Sequence, residues 1–230
     1  MMIDHLVFRA GSNRKHPSRR AFLQAGAATG GGLMLSLSLP FVGGASVANV
    51  FAPNAYISIA ADGQVTLTVP YVEMGQGTYT SIPMLIAEEL EIGLDQVRLE
   101  HAPPNEKLYA NPLLGVQATG NSNAIRGAWQ PLRQAGAAAR TMLVAAAAKR
   151  WSVDPATCRT QHGEVLHPPT GRRSTYGELA ADAARMPVPD KVALKEPKDF
   201  KLIGTPAKRL DLPAKINGTA VFGIDARPQA

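Results

Sequence analysis

Between residues 56 and 90 the hydrophobic period switches from two to nearly four, and the switch falls across one glycine-bracketed loop. Tyr56, Ile57 and Ile59, then Val65, Leu67 and Val69 after a turn at Asp62-Gly63, alternate with polar residues in the pattern of a β-hairpin. Glu73-Met74-Gly75-Gln76-Gly77-Thr78 follows, and Ile82, Leu85, Ile86, Glu89 and Leu90 then recur at helical spacing. The unit is therefore strand, glycine loop, helix. Pro83 lacks an N–H and is best tolerated in a first turn, which sets the helix start near Thr80 or Ser81, and Gly93 supplies a stop.

A second small-residue loop opens a second helix. Val97, Leu99 and His101 form a strand pattern closed by Pro103-Pro104. Residues 105–120 are polar, with Pro112, Gly115 and Gly120, and read as a long loop of the kind that often carries function. It enters Thr119-Gly120-Asn121-Ser122-Asn123, after which an alanine-rich helix runs from about Ser122 to Trp151, with Pro131 a candidate kink. Thr157 to Gln161 and Glu164 to His167 form a hairpin pattern turned at His162-Gly163. A short helix from Thr175 to Arg185 has its N-cap at Ser174 or Thr175 and Glu178 at capping-box spacing. From Pro187 to 208, prolines interleave with lysines and aspartates, as in a linker or an irregular surface strap. Ala220-Val221-Phe222-Gly223-Ile224 reads as an apolar strand whose partners the sequence does not contain, so the chain is expected to be a truncated piece of something longer. The fold class is α+β, a mixed α/β arrangement of hairpins and helices.

The charge is local. Of a formal +6, Arg9, Arg14, Lys15, Arg19 and Arg20 lie before residue 49 against Asp4 alone, leaving 19 basic and 17 acidic residues, about +2, in the rest. This argues against a nucleic-acid partner. Ser18-Arg19-Arg20-Ala21-Phe22-Leu23-Gln24 precedes a weakly apolar, Gly/Ala-rich run that ends at Pro40, with Ser46-Val47-Ala48 as a plausible cleavage site. The pattern resembles a twin-arginine signal over residues 1–48, with Gln24 where lysine is common. It implies periplasmic export of a folded product; membrane association through an uncleaved leader is a variant. The single cysteine, Cys158, excludes an internal disulfide, and the chain cannot hold an iron–sulfur cluster by itself.

Chemistry can be sought in the two loops. Gly75 and Gly77, and Gly120 with Asn121 and Ser122, let the backbone approach a ligand closely, and free amides at a helix N-terminus attract an anion such as phosphate. The two could form one anion pocket, or both could be ordinary turns. Gln76 adds an amide able to donate to and accept from a heteroaromatic or oxo ligand. His101, His162 and His167 share no ligand spacing, so no metal site is assigned. Glu88, Glu89 and Glu91 read as a solvated helix face, Arg126, Arg133 and Arg140 as a solvent-facing or subunit-facing stripe, and Trp129 and Trp151 as packing residues.

Taken together and in order, Val72-Glu73-Met74-Gly75-Gln76-Gly77-Thr78 with its helix and strand, then Thr119-Gly120-Asn121-Ser122 opening an alanine-rich helix, resemble the molybdopterin-binding region of the molybdenum hydroxylases, the xanthine dehydrogenase and aldehyde oxidase family. The match is to the N-terminal portion of large subunits of the isoquinoline 1-oxidoreductase β-subunit type. The tail from Arg209-Leu210-Asp211 through Lys215, Asn217-Gly218 and Phe222 to Asp225 resembles the entry to that family's α/β hammerhead domain. The resemblance implies a partial molybdopterin-binding domain over 49–186, a linker over 187–208 and a truncated hammerhead start over 209–230. It further implies a molybdopterin cofactor, with the cytosine dinucleotide form as one variant. Gln76 would then hydrogen-bond near the molybdenum oxo group, Gly75 and Gly77 would allow that approach, and Gly120, Asn121 and Ser122 would face the pterin and its phosphate. Asn121 and its neighbours depart somewhat from the family pattern. The family's catalytic glutamate, a general base, lies far beyond residue 230, so this chain supplies no catalytic residue and no metal ligand.

By the same resemblance, the expected activity is that of an oxidoreductase that hydroxylates aldehydes or N-heteroaromatics with water-derived oxygen. Electrons would pass to a separate 2Fe-2S subunit, with a cytochrome c as a candidate acceptor. The alternative is a non-catalytic exported binding or assembly domain that keeps the fold without activity.

Overall fold

The computed structural model describes residues 50–227, so the expected twin-arginine signal over residues 1–48 lies outside the described residues. Strands β1 (Val50–Asn54), β2 (Ile57–Ala60), β3 (Val65–Val69) and β4 (Val97–His101) form one sheet in that order. The first two junctions are antiparallel, and β3 pairs with β4 in parallel, Val65 opposite Val97 and Val69 opposite His101. A parallel pair needs a crossover. Helix α1 (Thr78–Leu90) supplies it, which makes the glycine loop the link from the C-terminal end of β3 into the helix.

Alternation places Ile57, Ile59, Val65, Leu67 and Val69 on the face covered by helices, all at most 2% exposed. Beyond β4, a single turn α2 (Glu106–Tyr109) interrupts the long loop. Helix α3 (Ala124–Trp151) then lies against α1. Pro131 leaves α3 a continuous helix. The approach of α1 and α3 is close enough that a Cβ on Gly136 would stand 2.6 Å from the Ile86 carbonyl oxygen. A second sheet, β5 (Arg159–Gln161), β6 (Glu164–His167) and β7 (Arg172–Thr175), is an antiparallel meander. It leads into α4 (Tyr176–Ala183), whose Thr175 and Glu178 form the anticipated capping box. The architecture is α+β, as expected. β1 and β7 carry no alternation long enough to announce themselves in the sequence.

Three local expectations need correction. Helix α1 begins at Thr78, so Pro83 is its sixth residue rather than a first-turn residue. The Glu73 carboxylate binds the Tyr79 N–H at 3.0 Å and starts the helix early, at the expense of the one bond that proline cannot donate. The stop is Glu91 in left-handed conformation (φ 59°) and not Gly93. The run from Ala220 to Ile224 joins no described strand: Gly223–Asp225 make one 3₁₀ turn, and Val221 and Ile224 are 79% and 94% exposed. An apolar run without a ladder partner has no reason to stay extended.

The acidic cluster is the largest departure. Glu88 and Glu89 are 1% and 0% exposed, with cations drawn around them. Residues 187–208 form an irregular strap that crosses this end of α1. Lys195 Nζ reaches Glu88 and Glu91, each at 2.7 Å, and Lys201 Nζ reaches Glu91 at 2.8 Å. The Lys201, Leu202 and Ile203 N–H groups converge on Glu88 Oε2 at 2.9, 2.6 and 3.0 Å. Arg133, expected in a solvent-facing or subunit-facing stripe, is buried against Glu89, with Arg140 behind it, 3.8 Å from Glu89; Arg126 is exposed. A helical window cannot show charges that arrive more than a hundred residues later. Burial alone would raise the Glu88 pKa, but the Lys195 ammonium and the strap amides outweigh it and hold the carboxyl below its ordinary range. Glu91 is likewise lowered against burial, by Lys195 and Lys201.

Candidate functional site

The loop from Val72 to Gly77 is closed upon itself. Glu73 Oε1 accepts the Gly75 and Gly77 N–H groups at 2.7 and 3.0 Å, and Oε2 accepts Tyr79 N–H at 3.0 Å and the Thr78 hydroxyl at 3.3 Å. Gly75 (φ 104°) and Gly77 (φ 89°) adopt conformations open mainly to glycine, with nothing within 4 Å of where a Cβ would stand. The amides expected to be free for an external anion are thus occupied by the chain's own carboxylate. Gln76 lies exposed at the tip. Its Oε1 accepts Met74 N–H at 2.5 Å and its Nε2 donates to the Val72 carbonyl at 2.7 Å.

Thr119 joins this loop to the second one: its hydroxyl oxygen accepts the Val72 N–H at 2.8 Å. Past it, Asn121 (φ 52°) and Ser122 (φ 51°) are consecutive exposed residues in the left-handed region, where serine in particular is strained. Buried Asn123 occupies the N-cap of α3, yet its side chain does not cap the helix. Its Oδ1 instead accepts Asn111 Nδ2 at 2.7 Å, tying the long loop to the helix start. The N-terminus of this 28-residue helix therefore carries no side-chain cap, and the exposed Arg126 stands in its first turn. The two helix starts differ in kind. That of α1 is neutralised by Glu73, whereas that of α3 has no carboxylate or side-chain cap at its start.

A groove of about 540 Å³ runs beside the junction, at the C-terminal ends of parallel β3 and β4, lined by Tyr71, Val72, His101, Asn105, Gln117 and Thr119 among others. Its walls are the stems of the two loops; Gly75, Gln76, Gly77, Gly120, Asn121 and Ser122 stand at the loop tips and do not line it. Burial, with the neighbouring Tyr56 adding to it, pushes the Tyr71 pKa up to about 12, so Tyr71 is a neutral donor at this rim.

The two loops together present carboxamide, hydroxyl and backbone-amide groups, the donor types suited to a polar, anionic ligand. One loop offers a carboxamide on a backbone stripped of side-chain bulk, and the other offers a hydroxyl and uncapped helix amides suited to a phosphate. No cluster of three His, Cys, Asp or Glu side chains suited to a metal occurs among the described residues. His101 packs edge-on against Tyr79, and His167 is buried on β6 with Nδ1 2.7 Å from the Thr170 hydroxyl. Of the residues that build this site, sequence reasoning gave no role to Glu73, Thr119 or Asn111. Only Glu73 left a signal, an acid just ahead of a helix start.

A family model described as "Molybdopterin cofactor-binding domain" matches residues 14–224. Isoquinoline 1-oxidoreductase subunit beta of Brevundimonas diminuta is 37% identical over 210 residues, 76% of this chain and 27% of that protein. The membrane-bound aldehyde dehydrogenase [pyrroloquinoline-quinone] of Gluconacetobacter polyoxogenes is 34% identical over 183 residues, 77% of this chain and 23% of that protein. Among solved structures, quinoline 2-oxidoreductase from Pseudomonas putida 86 aligns with a TM-score of 0.44 at 21% identity, over 57% of this chain and 16% of that one. The chain spans about a quarter of the length of these two curated relatives.

Proposed function

The chain belongs to the molybdopterin cofactor-binding domain family, and from that premise we propose that it is the N-terminal part of the large subunit of an exported molybdenum hydroxylase. The observation that carries this reading is the pairing of the Gly75-Gln76-Gly77 loop with the uncapped start of α3, joined through Val72 and Thr119. In this reading Gln76 exchanges its bonds to Val72 and Met74 for the polar edge of the cofactor, and Gly75 and Gly77 keep the approach clear. Gly120, Asn121 and Ser122, with the first amides of α3, hold the pterin and its phosphate, in the cytosine dinucleotide form or without it. When bound, the molybdopterin would supply the two-electron redox chemistry, and the chain's own residues would hold and orient it.

Relatives named for isoquinoline and for an aldehyde support an N-heteroaromatic or aldehyde substrate, hydroxylated with water-derived oxygen. Electrons pass to a separate 2Fe-2S subunit and from there to an acceptor such as a cytochrome c. The lone cysteine accords with iron–sulfur clusters held elsewhere. Arg19-Arg20 and the apolar run behind them support twin-arginine export to the periplasm, which suits a protein that must fold around a cofactor before it is moved.

Molybdenum and pterin analysis of the subunit, expressed from its complete reading frame with its neighbours, tests this. Near-stoichiometric molybdenum is expected, together with periplasmic location that is lost on Arg19→Lys/Arg20→Lys. The quinone in the second relative's name motivates one other reading: pyrroloquinoline quinone without molybdenum would overturn the first. A metal-free, quinone-free product would favour the non-catalytic assembly domain.

A further inference from the structure

The Gln76 loop is held from outside by a residue that lies far along the chain. Arg209 Nη2 donates to Glu73 Oε1 at 2.9 Å, and Nη1 donates to the Gly75 carbonyl oxygen at 3.0 Å. Its Nε and Nη2 also meet the two oxygens of Asp211 at 3.1 Å each, and Asp211 is in turn paired with Lys215. A guanidinium has donors in a rigid fork, and here they are distributed over one carbonyl and two carboxylates. One residue on, Leu210 N–H donates to the Thr80 hydroxyl at 3.0 Å, so the segment is docked on the first turn of α1 and not merely near it.

The same strap is fastened at the other end of α1 by Glu88, Glu89 and Glu91. The chain therefore runs along the helix between two sets of carboxylates, and Arg209, just past the strap, closes on the glycine loop. The Glu73 side chain is only 5% exposed, and its carboxylate collects three backbone N–H groups and a guanidinium. Two glycines at positive φ give the loop many alternative conformations, so something must select one. The five bonds to Glu73, including that of the Thr78 hydroxyl, and the one from Arg209 to Gly75 do so, flanking Gln76 on both sides.

We propose that Glu73 and Arg209 are positioning residues that latch the Gly75-Gln76-Gly77 loop, so that the segment carrying Arg209 sets the geometry in which Gln76 meets the cofactor. The inference rests on the proposed cofactor role of Gln76. It adds a dependence of that site on the strap: a chain ending before Arg209 would keep the loop sequence and lose the loop conformation. Lysine cannot replace the arginine, because a single ammonium cannot span Gly75, Glu73 and Asp211 in the same plane.

Amide hydrogen exchange on the full chain tests the latch without any cofactor. Arg209→Gln should speed exchange at Gly75, Gly77 and Tyr79 by about tenfold or more, with α3 amides unchanged, and Arg209→Lys should fall between. Unchanged protection in Arg209→Gln would overturn the latch. In the subunit expressed from its complete reading frame, molybdenum per protein should fall in Arg209→Gln and in Gln76→Ala alike. Loss in Gln76→Ala with full protection and occupancy in Arg209→Gln would sink the latch and leave the cofactor site standing. Full occupancy in Gln76→Ala would instead overturn the role of Gln76, and with it the positioning claim.

Discussion

Arg133 and Glu89 form a two-pronged ion pair in the interior, Nε and Nη2 of the arginine meeting one carboxylate oxygen at 2.9 and 2.7 Å with side chains 7% and 0% exposed. The guanidinium also donates to the Lys195 carbonyl oxygen and lies 5.0 Å from the Trp129 ring centroid and 5.1 Å from that of Phe200. It joins α3, α1 and the strap at one point.

Removing one partner should therefore cost much more than removing both. Arg133→Met leaves Glu89 buried beside only the more distant Arg140 and the Lys195 amide, and is expected to lose about 3–5 kcal/mol. Arg133→Met/Glu89→Leu should recover a substantial part of that loss, since two apolar groups need no solvation. Urea unfolding of the four proteins of this cycle measures the coupling. A single-variant loss below about 1 kcal/mol would place the pair in water rather than in the core.

The strap should respond to acid. The Glu88 and Glu91 pKa values are both lowered from the ordinary 4.5. A carboxyl with a depressed folded-state pKa contributes stability that is complete above its unfolded value and is lost as pH falls through the folded one. Stability should accordingly be level from neutral pH to about pH 5 and decline below it. Glu88→Gln should be less stable at pH 7 and show a shallower acid limb. An unchanged acid limb in that variant would assign the acid response to other carboxylates.

Part of this molecule was legible in its residues because the signals are local. The β2–β3 hairpin, the glycine loop and α1, the strand β4, α3 and the Thr175 capping box each follow from periodicity or turn chemistry within about thirty residues. Charge on a helix means solvent only when no counter-charge arrives from elsewhere, and for Glu88, Glu89 and Arg133 the partners include Lys195 and Lys201 from a proline-rich segment without periodicity. At the site, Gln76 and the glycines stood out by type. What Glu73 does depends on Gly75 and Gly77 taking positive φ, which a sequence permits but does not display. The link to Arg209, 136 residues away, has no sequence trace.

Gly136 should tolerate no side chain. A Cβ there would lie 2.6 Å from the Ile86 carbonyl oxygen and 3.0 Å from the Glu89 Cβ, so Gly136→Ala must part α1 from α3. The gain in helix propensity, about 1 kcal/mol, is outweighed by overpacking of about 1–3 kcal/mol and by disturbance of Glu89. A lowered melting temperature is expected. Gly75→Ala makes a useful contrast, with open space around it and only the strain of φ 104°, and should disturb the loop while leaving the helix pair intact.

Tyr176 closes the other end of α1. Its hydroxyl donates to the Leu90 carbonyl oxygen at 2.7 Å, and that carbonyl belongs to the last turn, where no helical N–H reaches it. The side chain is 1% exposed, and burial pushes its pKa well up, so it stays a neutral donor across the range in which the protein is handled. Tyr176→Phe keeps the ring packing and removes the donor, stranding the carbonyl in the core. The expected loss is about 1–3 kcal/mol, with faster hydrogen exchange toward the C-terminal end of α1 and little change in β5 to β7. Tyr109→Phe is the control. Its hydroxyl donates to the Ala55 carbonyl at 3.0 Å in a less deeply buried place, and its loss should cost less. Equal losses in the two variants would mean that the Leu90 carbonyl finds another partner once the tyrosine hydroxyl is gone.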